Sequence, residues 1–216
     1  MARQRERERH GLRIEYATTE AEPTDTEGLE RFAEERGIPV EFLGRMGVHI
    51  ADQDNDMPGW IALPFPHLTG VWHTRYRNPG KRGRKYHQAA GTDVHLYNPL
   101  KLGPNADLVI FTEGEIDCLV LAFLGYPAIG IPGTSSSTER FRQHWHLLYR
   151  SAKVIIAFDN DTAGQESAFK FSDLLTSVSI DNRIIVPPRE GWDINDWYLE
   201  DREGLTQTFD STIGGW

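Results

Sequence analysis

The chain has 216 residues, which on a loose scale of about 150 residues per domain holds one good-sized α/β domain and a smaller appendage. A single cysteine, Cys118, excludes a disulfide framework and any Cys-based zinc ribbon, so no zinc is expected; no apolar run approaches the roughly 18 residues of a membrane span, and the opening MARQRERERH lacks the apolar stretch of a signal peptide. A formal net charge of −9 argues against a protein that coats DNA by bulk electrostatics, and a cytoplasmic location is expected.

Residues 1 to 24 are charged, without apolar periodicity, and read as a disordered tail, although the alternating Arg and Glu of RQRERER also suit a frayed helix. Thr26 to Gly37 has the helical spacing of Leu29, Phe32 and Ala33 and ends on a glycine; a shorter helix is expected over PVEFLGRMG. WIALPFPHLTGVWHTRYRN alternates around a turn at His67 to Gly70 and predicts a β-hairpin, its first strand demoted to an edge by Pro64 and Pro66. Arg75, Arg77, Lys81, Arg82, Arg84 and Lys85 fall within eleven residues, interleaved with Tyr76 and Tyr86. Such a segment suits phosphate, with rings able to stack on bases; by itself it is equally a solvated hairpin tip. Residues 25 to 106 form an N-terminal α+β subdomain in this reading.

From Asp107 the pattern alternates: strand 108–112, helix 116–124, strand 127–131, helix 138–149, strand 153–158, helix 163–176, strand 183–186, and a short helix on DINDWYLED. Alternation of this kind predicts a parallel sheet with helices on both faces, here over residues 107 to 200, followed by a C-terminal tail at 201 to 216. Cys118 reads as a small core residue, and Trp145, Trp192 and Trp197 as core. His144 and His146, two apart on a helix, cannot share a zinc-binding face. PGTSSST (132 to 138), with Gly133 and Thr134, could cradle phosphate on backbone N–H groups or simply cap a helix. There is no Walker A motif and no internal repeat.

Five acids sit where apolar runs end: Glu113 and Asp117 in EGEID, Asp159 and Asp161 in FDNDTAG, and Asp193 in WDINDW. Ligands of an open parallel sheet bind beyond the carboxyl ends of its strands, so these acids should converge. Crowded carboxylates repel unless a cation joins them, and Mg²⁺ takes oxygen ligands while keeping waters for substrate phosphates. Asp193 and Asp196 also suit helix N-capping, and Glu115 is expected to be a solvated neighbour that tunes the site.

In this order, EGEID, FDNDTAG and DIND resemble the Toprim domain of bacterial and phage primases, topoisomerases and some nucleases, over about residues 107 to 200. ERFAEERGIPVEFLGRMGVHI, the hairpin and RKYHQAAGTDVHLYN resemble the amino-terminal subdomain of the bacterial-type primase polymerase core, nearest in style to phage primases. The resemblance implies a DNA primase core, a nucleotidyltransferase making RNA primers on single-stranded DNA with two or more Mg²⁺ or Mn²⁺ ions, encoded by a phage or mobile element and working in the host cytoplasm. It implies that Glu113, Asp159 and Asp161 are catalytic and bind metal, with Asp117 and Asp193 as further ligands or as acids behind the ligands, and Asn195 and Asp196 in support. Arg75, Lys85 and Tyr86 would hold template or NTP. The sequence lacks the family's Cys-rich zinc domain and a helicase domain, so a separate zinc-domain protein or replicative helicase is the expected partner. A Toprim nuclease and a non-catalytic nucleic-acid-binding accessory are the alternatives; all five acids argue against the latter, since nothing structural requires them.

Overall fold

Short strands whose successive central residues are all apolar need both faces covered, and the computed structural model of the chain shows this arrangement. It describes residues 26–53, 55, 57–67, 70–80, 82–92, 95–98, 107–132 and 153–216. The expected tail, the 138–149 helix with Trp145 and both histidines, and Lys81, Gly133 and Thr134 lie outside these residues.

The chain begins with α1 (Thr26–Arg36) and α2 (Val40–Arg45), then an antiparallel sheet of β1 (His49–Ile50), β2 (Ile61–His67), β3 (Gly70–Arg77) and β4 (Tyr86–His87), ordered β1-β2-β3-β4. Pro64 and Pro66 do not make β2 an edge strand. They are tolerated because β1 pairs only with Ile61 and Ala62, so that among the described residues the proline-bearing half has no strand partner on that side.

The second sheet comprises β5 (Leu108–Thr112), β6 (Ala128–Gly130), β7 (Lys153–Ala157) and β8 (Asp181–Ile184), all parallel, in the order β6-β5-β7-β8. β8 starts two residues before the apolar run suggests; its burial is partial, as suits an edge. Alternate residues of β5 and β7 face opposite layers. Ile110, Ile155 and Ala157 join Leu119 and Leu121 of α3 (Glu115–Phe123), whereas Val109, Phe111, Val154 and Ile156 join Phe171 and Leu175 of α4 (Thr162–Ser177). The helices after β5 and β7 thus cover opposite faces, and their adjacent strand ends open a crevice at the point where the strand order reverses.

The α3 layer continues into α1, the buried face of β2, and helices α5 (Ile194–Glu200) and α6 (Arg202–Gly214) as one apolar cluster. Residues 201 to 216 are therefore more than a tail: Asp201 caps α6 by accepting from Gly204 N at 2.8 Å, and Leu205 and Phe209 are fully buried. Helix α1 ends at Gly37, whose φ of 65° and close approach to the Tyr198 ring leave no room for a side chain; Tyr198 Oη donates to Gly37 O at 2.7 Å. That contact sets the end of α1, and hence Arg36, beside α5.

Candidate active site

The acidic wall is built from chain turns. After β5, Thr112 Oγ1 donates to Gly114 O at 3.0 Å, closing the bend that carries Glu113. Asp117, in the first turn of α3, is 6% exposed, and its Oδ1 accepts from Asn195 N at 3.1 Å. After β7, Asp159 leads into Asp161, the N-cap of α4, whose Oδ1 accepts from Gly164 N at 2.7 Å. Gly164 is required here: a Cβ would sit 2.4 Å from Asp159 O and 3.1 Å from Glu113 Oε2. The bare backbone lets the Glu113 and Asp159 turns close on each other.

Asn160 joins this turn to the loop that carries Asp193. Its N–H donates to Trp192 O at 2.8 Å, its carbonyl accepts from Gly191 N, and its Nδ2 donates to Pro187 O at 2.8 Å. Asp193 caps α5, accepting from Asp196 N at 2.7 Å, while Asp196 Oδ2 accepts from Asp193 N at 3.3 Å. The capping reading of both residues is thus realised, and Asp193 still lines the cleft with Glu113, Asp117 and Asp159. Asp161 is exposed and is not among the residues that line the cleft, yet it lies near enough to Asp159 to disfavour its charge.

Burial, then repulsion from Glu113, Asp193 and Asp161, pushes Asp159 up to about 7. Asp117 is raised well above the usual carboxylate range by burial and by Asp193 and Asp159, and Asp193 is raised chiefly by burial. All these donors are oxygens that resist ionising together, the condition a hard cation relieves. Among the described residues no three acids close into a ready-made cage. Carboxylate oxygens are the donors that Mg²⁺ takes, one or two at a time with several waters retained, and the acids that line the cleft fit such an ion.

The basic wall comes from the other sheet. Arg75, Arg77, Lys85 and Tyr86 face the acids across a cavity of about 270 Å³. The Arg75 guanidinium lies 4.2 Å from the Tyr86 ring centroid, Arg77 lies 5.2 Å from it, and Arg77 Nη1 donates to Tyr86 Oη. Burial and the nearby Glu115 carboxylate push the Tyr86 hydroxyl up to about 12. Tyr86 is thus occupied by arginines, and Tyr76 Oη accepts from Asn55 Nδ2 at 2.9 Å. Arg82 and Arg84 lie outside the cleft on an exposed loop, their carbonyls held by Asn78 Nδ2 at 3.1 and 3.2 Å.

Glu115 departs from expectation. It is 1% exposed rather than solvated, and its Oε1 accepts from Arg75 Nη1 at 2.7 Å. Arg36 is a cleft residue that sequence reading passed over, because a cation in the last turn of a helix is ordinary. Its Nη1 donates to Asn195 Oδ1 at 3.1 Å and Asn195 Nδ2 donates to Arg36 O at 3.0 Å, linking α1 to the acids through the residue that also binds Asp117. Only the fold brings these positions together.

The sequence model of the Toprim-like family matches residues 110–198. The gene 57 protein of Mycobacterium phage D29 is 30% identical over 142 residues, 63% of this chain and 88% of that protein. A DNA primase of Clostridium acetobutylicum is 33% identical over 99 residues, 45% of this chain but 16% of the primase. Among solved structures, the Aquifex aeolicus primase comprising zinc-binding and RNA polymerase domains superposes with a TM-score of 0.69 at 18% identity, covering 87% of this chain and 56% of the other. The primase fragment of the bacteriophage T7 primase-helicase gives 0.67 at 22% identity, covering 81% and 72%. The chain therefore spans about half the length of the Aquifex protein and a small part of the Clostridium one. With a phage relative matched across most of its length and the parallel-sheet half matched by the family model, this chain belongs to the Toprim-like family and has the fold of primase catalytic cores.

Proposed function

We propose that the chain is the catalytic core of a DNA primase that joins ribonucleotides into short RNA primers on single-stranded DNA. The observation that carries this reading is one cleft with carboxylates on the strand ends of the Toprim sheet and Arg36, Arg77 and Lys85 on the opposite wall. In this reading residues 25–106 supply the cationic wall and residues 107–200 the acidic one. Glu113, Asp159 and Asp161 are the residues that would hold Mg²⁺ or Mn²⁺, with Asp117 and Asp193 beside them and Asn195 and Asp196 orienting both. A divalent cation held there would supply neutralising charge for the triphosphate and lower the pKa of the primer 3′-hydroxyl.

The chain's own residues do the rest. Arg36, Arg77 and Lys85 bind phosphate oxygens, which the carboxylates alone would repel, and align the α-phosphate with the 3′-oxygen. That oxygen gives up its proton to water and forms the new bond to the α-phosphorus as the bond to the pyrophosphate oxygen breaks, and pyrophosphate leaves. Arg82 and Arg84, outside the cleft, hold the template backbone. A separate zinc-domain protein or helicase supplies template selection.

The test uses the full chain with Mg²⁺ or Mn²⁺, NTPs, and an RNA primer on a DNA template, each strand labelled separately. Metal-dependent primer growth is the expected result, with weak initiation from template alone. Template shortening without primer growth indicates a Toprim nuclease and overturns the proposal; DNA binding without turnover in the parent chain indicates an accessory.

A further inference from the structure

Arg75 and Glu115 form a close ion pair on the cleft wall, with Nη1 and Oε1 2.7 Å apart. A buried ion pair is a poor way to stabilise a fold, since the desolvation of both charges offsets their attraction and an apolar pair of similar volume often does as well. Here the pair joins β3 of one sheet to the first residue of α3 beside the other. Glu115 is 1% exposed and Arg75 remains 20% exposed on the cleft wall. Its carboxylate contacts Nη1, at one corner of a planar fork that carries five N–H donors, while the guanidinium sits over Tyr86. Two contacts from different directions fix the plane of a side chain that otherwise rotates about several bonds.

We propose that Glu115 is a positioning residue for phosphate recognition, locking Arg75 over Tyr86 so that the rest of its N–H fork meets phosphate oxygens entering the cleft. Glu115 acts through Arg75 and is not a metal ligand. The inference rests on the polymerase reading only for which phosphates arrive, those of a nucleotide or those of a template strand.

Binding and melting measurements on the full chain test it. The probes are ATP and a labelled single-stranded oligodeoxynucleotide. Glu115→Ala should weaken at least one probe by about tenfold or more, the scale of one charge-assisted hydrogen bond. Glu115→Gln, whose amide oxygen accepts the same bond, should stay within about threefold of the parent. Loss confined to ATP assigns the fork to the nucleotide, and loss confined to the oligonucleotide assigns it to the template. The paired variant Arg75→Met with Glu115→Leu removes both charges and should melt close to the parent while remaining defective in binding.

A paired variant that melts and binds like the parent makes the ion pair purely structural and overturns the proposal. So does a Glu115→Ala protein that loses the Mn²⁺-induced rise in melting temperature as fully as Asp159→Asn does, because Glu115 would then be a ligand. A parent chain that binds neither probe overturns it as well. A parent that binds both yet adds no nucleotide sinks the polymerase reading and leaves this one standing.

Discussion

The two walls of the cleft are built differently. Each acid stands on or next to the backbone of a strand end or helix start, and Asp161 and Asp193 are themselves N-caps, so short side chains and main-chain hydrogen bonds set their places. The cations reach in on long side chains from the antiparallel sheet and from the end of α1, and are held by side chains: Arg75 by Glu115 and Tyr86, Arg77 by Tyr86, Arg36 by Asn195. Charge changes on the acidic wall should therefore leave its geometry standing. On the basic wall, removal of one group should disturb the next.

The largest effect expected is on the acidic wall. Asp159→Asn and Glu113→Gln should each lower primer extension by at least about a hundredfold, the scale of losing one preorganised charge at a reacting centre, with the melting temperature in metal-free buffer unchanged or raised. Both variants should also lose much of the rise in melting temperature that the parent shows with millimolar Mn²⁺, a rise that follows from cation binding to the folded state alone. An unchanged melting temperature in the parent would remove the metal site, and with it the contrast between the walls.

Arg82 and Arg84 test whether the basic segment is one unit or two. Because both lie outside the cleft, replacing them with Ala should lower the log-log salt slope of single-stranded DNA binding by about 0.7 per lost phosphate contact, while ATP binding stays intact. If ATP binding falls equally, the loop and the cleft are one surface.

Gly164→Ala tests the backbone basis of the acidic wall. Its Cβ would lie 2.4 Å from a carbonyl oxygen, so the α4 start must shift, costing about 1–3 kcal/mol in chemical denaturation. Full stability in this variant would show that the Glu113 and Asp159 turns need not approach so closely.

The smallest effect concerns His73, next to the basic wall. Burial, then His95 and Arg75, lowers its pKa from 6.5 to about 4, and its ring stacks on Phe65 at 4.2 Å. The folded chain thus favours the neutral ring, while the unfolded chain takes up a proton near pH 6.5. Stability contributed by this site is present above that pH and is lost as pH falls from 6.5 toward 4. His73→Phe should flatten that part of the melting-temperature profile; an unchanged slope assigns it to other groups.

Much of this was legible in the chain because period and punctuation are local properties. The apolar stretches LVIF and VIIA specify strands buried on both faces, and the acids after them fall at strand ends wherever those strands pair. The capping box of Asp193 and Asp196 follows from residue type and the helix they open. Partner choice was not legible. EGEID does not reveal that Glu115 faces Arg75 forty residues upstream, because residue spacing states a direction along a helix but not what lies opposite. Arg36 looked like any cation ending a helix until the Gly37–Tyr198 contact placed it beside Asn195, 159 positions away. RYRNPGKRGRKY read as one basic segment, yet β3 and β4 turned Arg75, Arg77 and Lys85 into the cleft and left Arg82 and Arg84 outside it. The amino-acid sequence by itself determined the strands of the parallel sheet to within about two residues, their order along the chain and the positions of the acids, since these depend on periodicity and turn chemistry. The tertiary structure alone decided which charges meet, because long-range pairing is settled by how two sheets share one core.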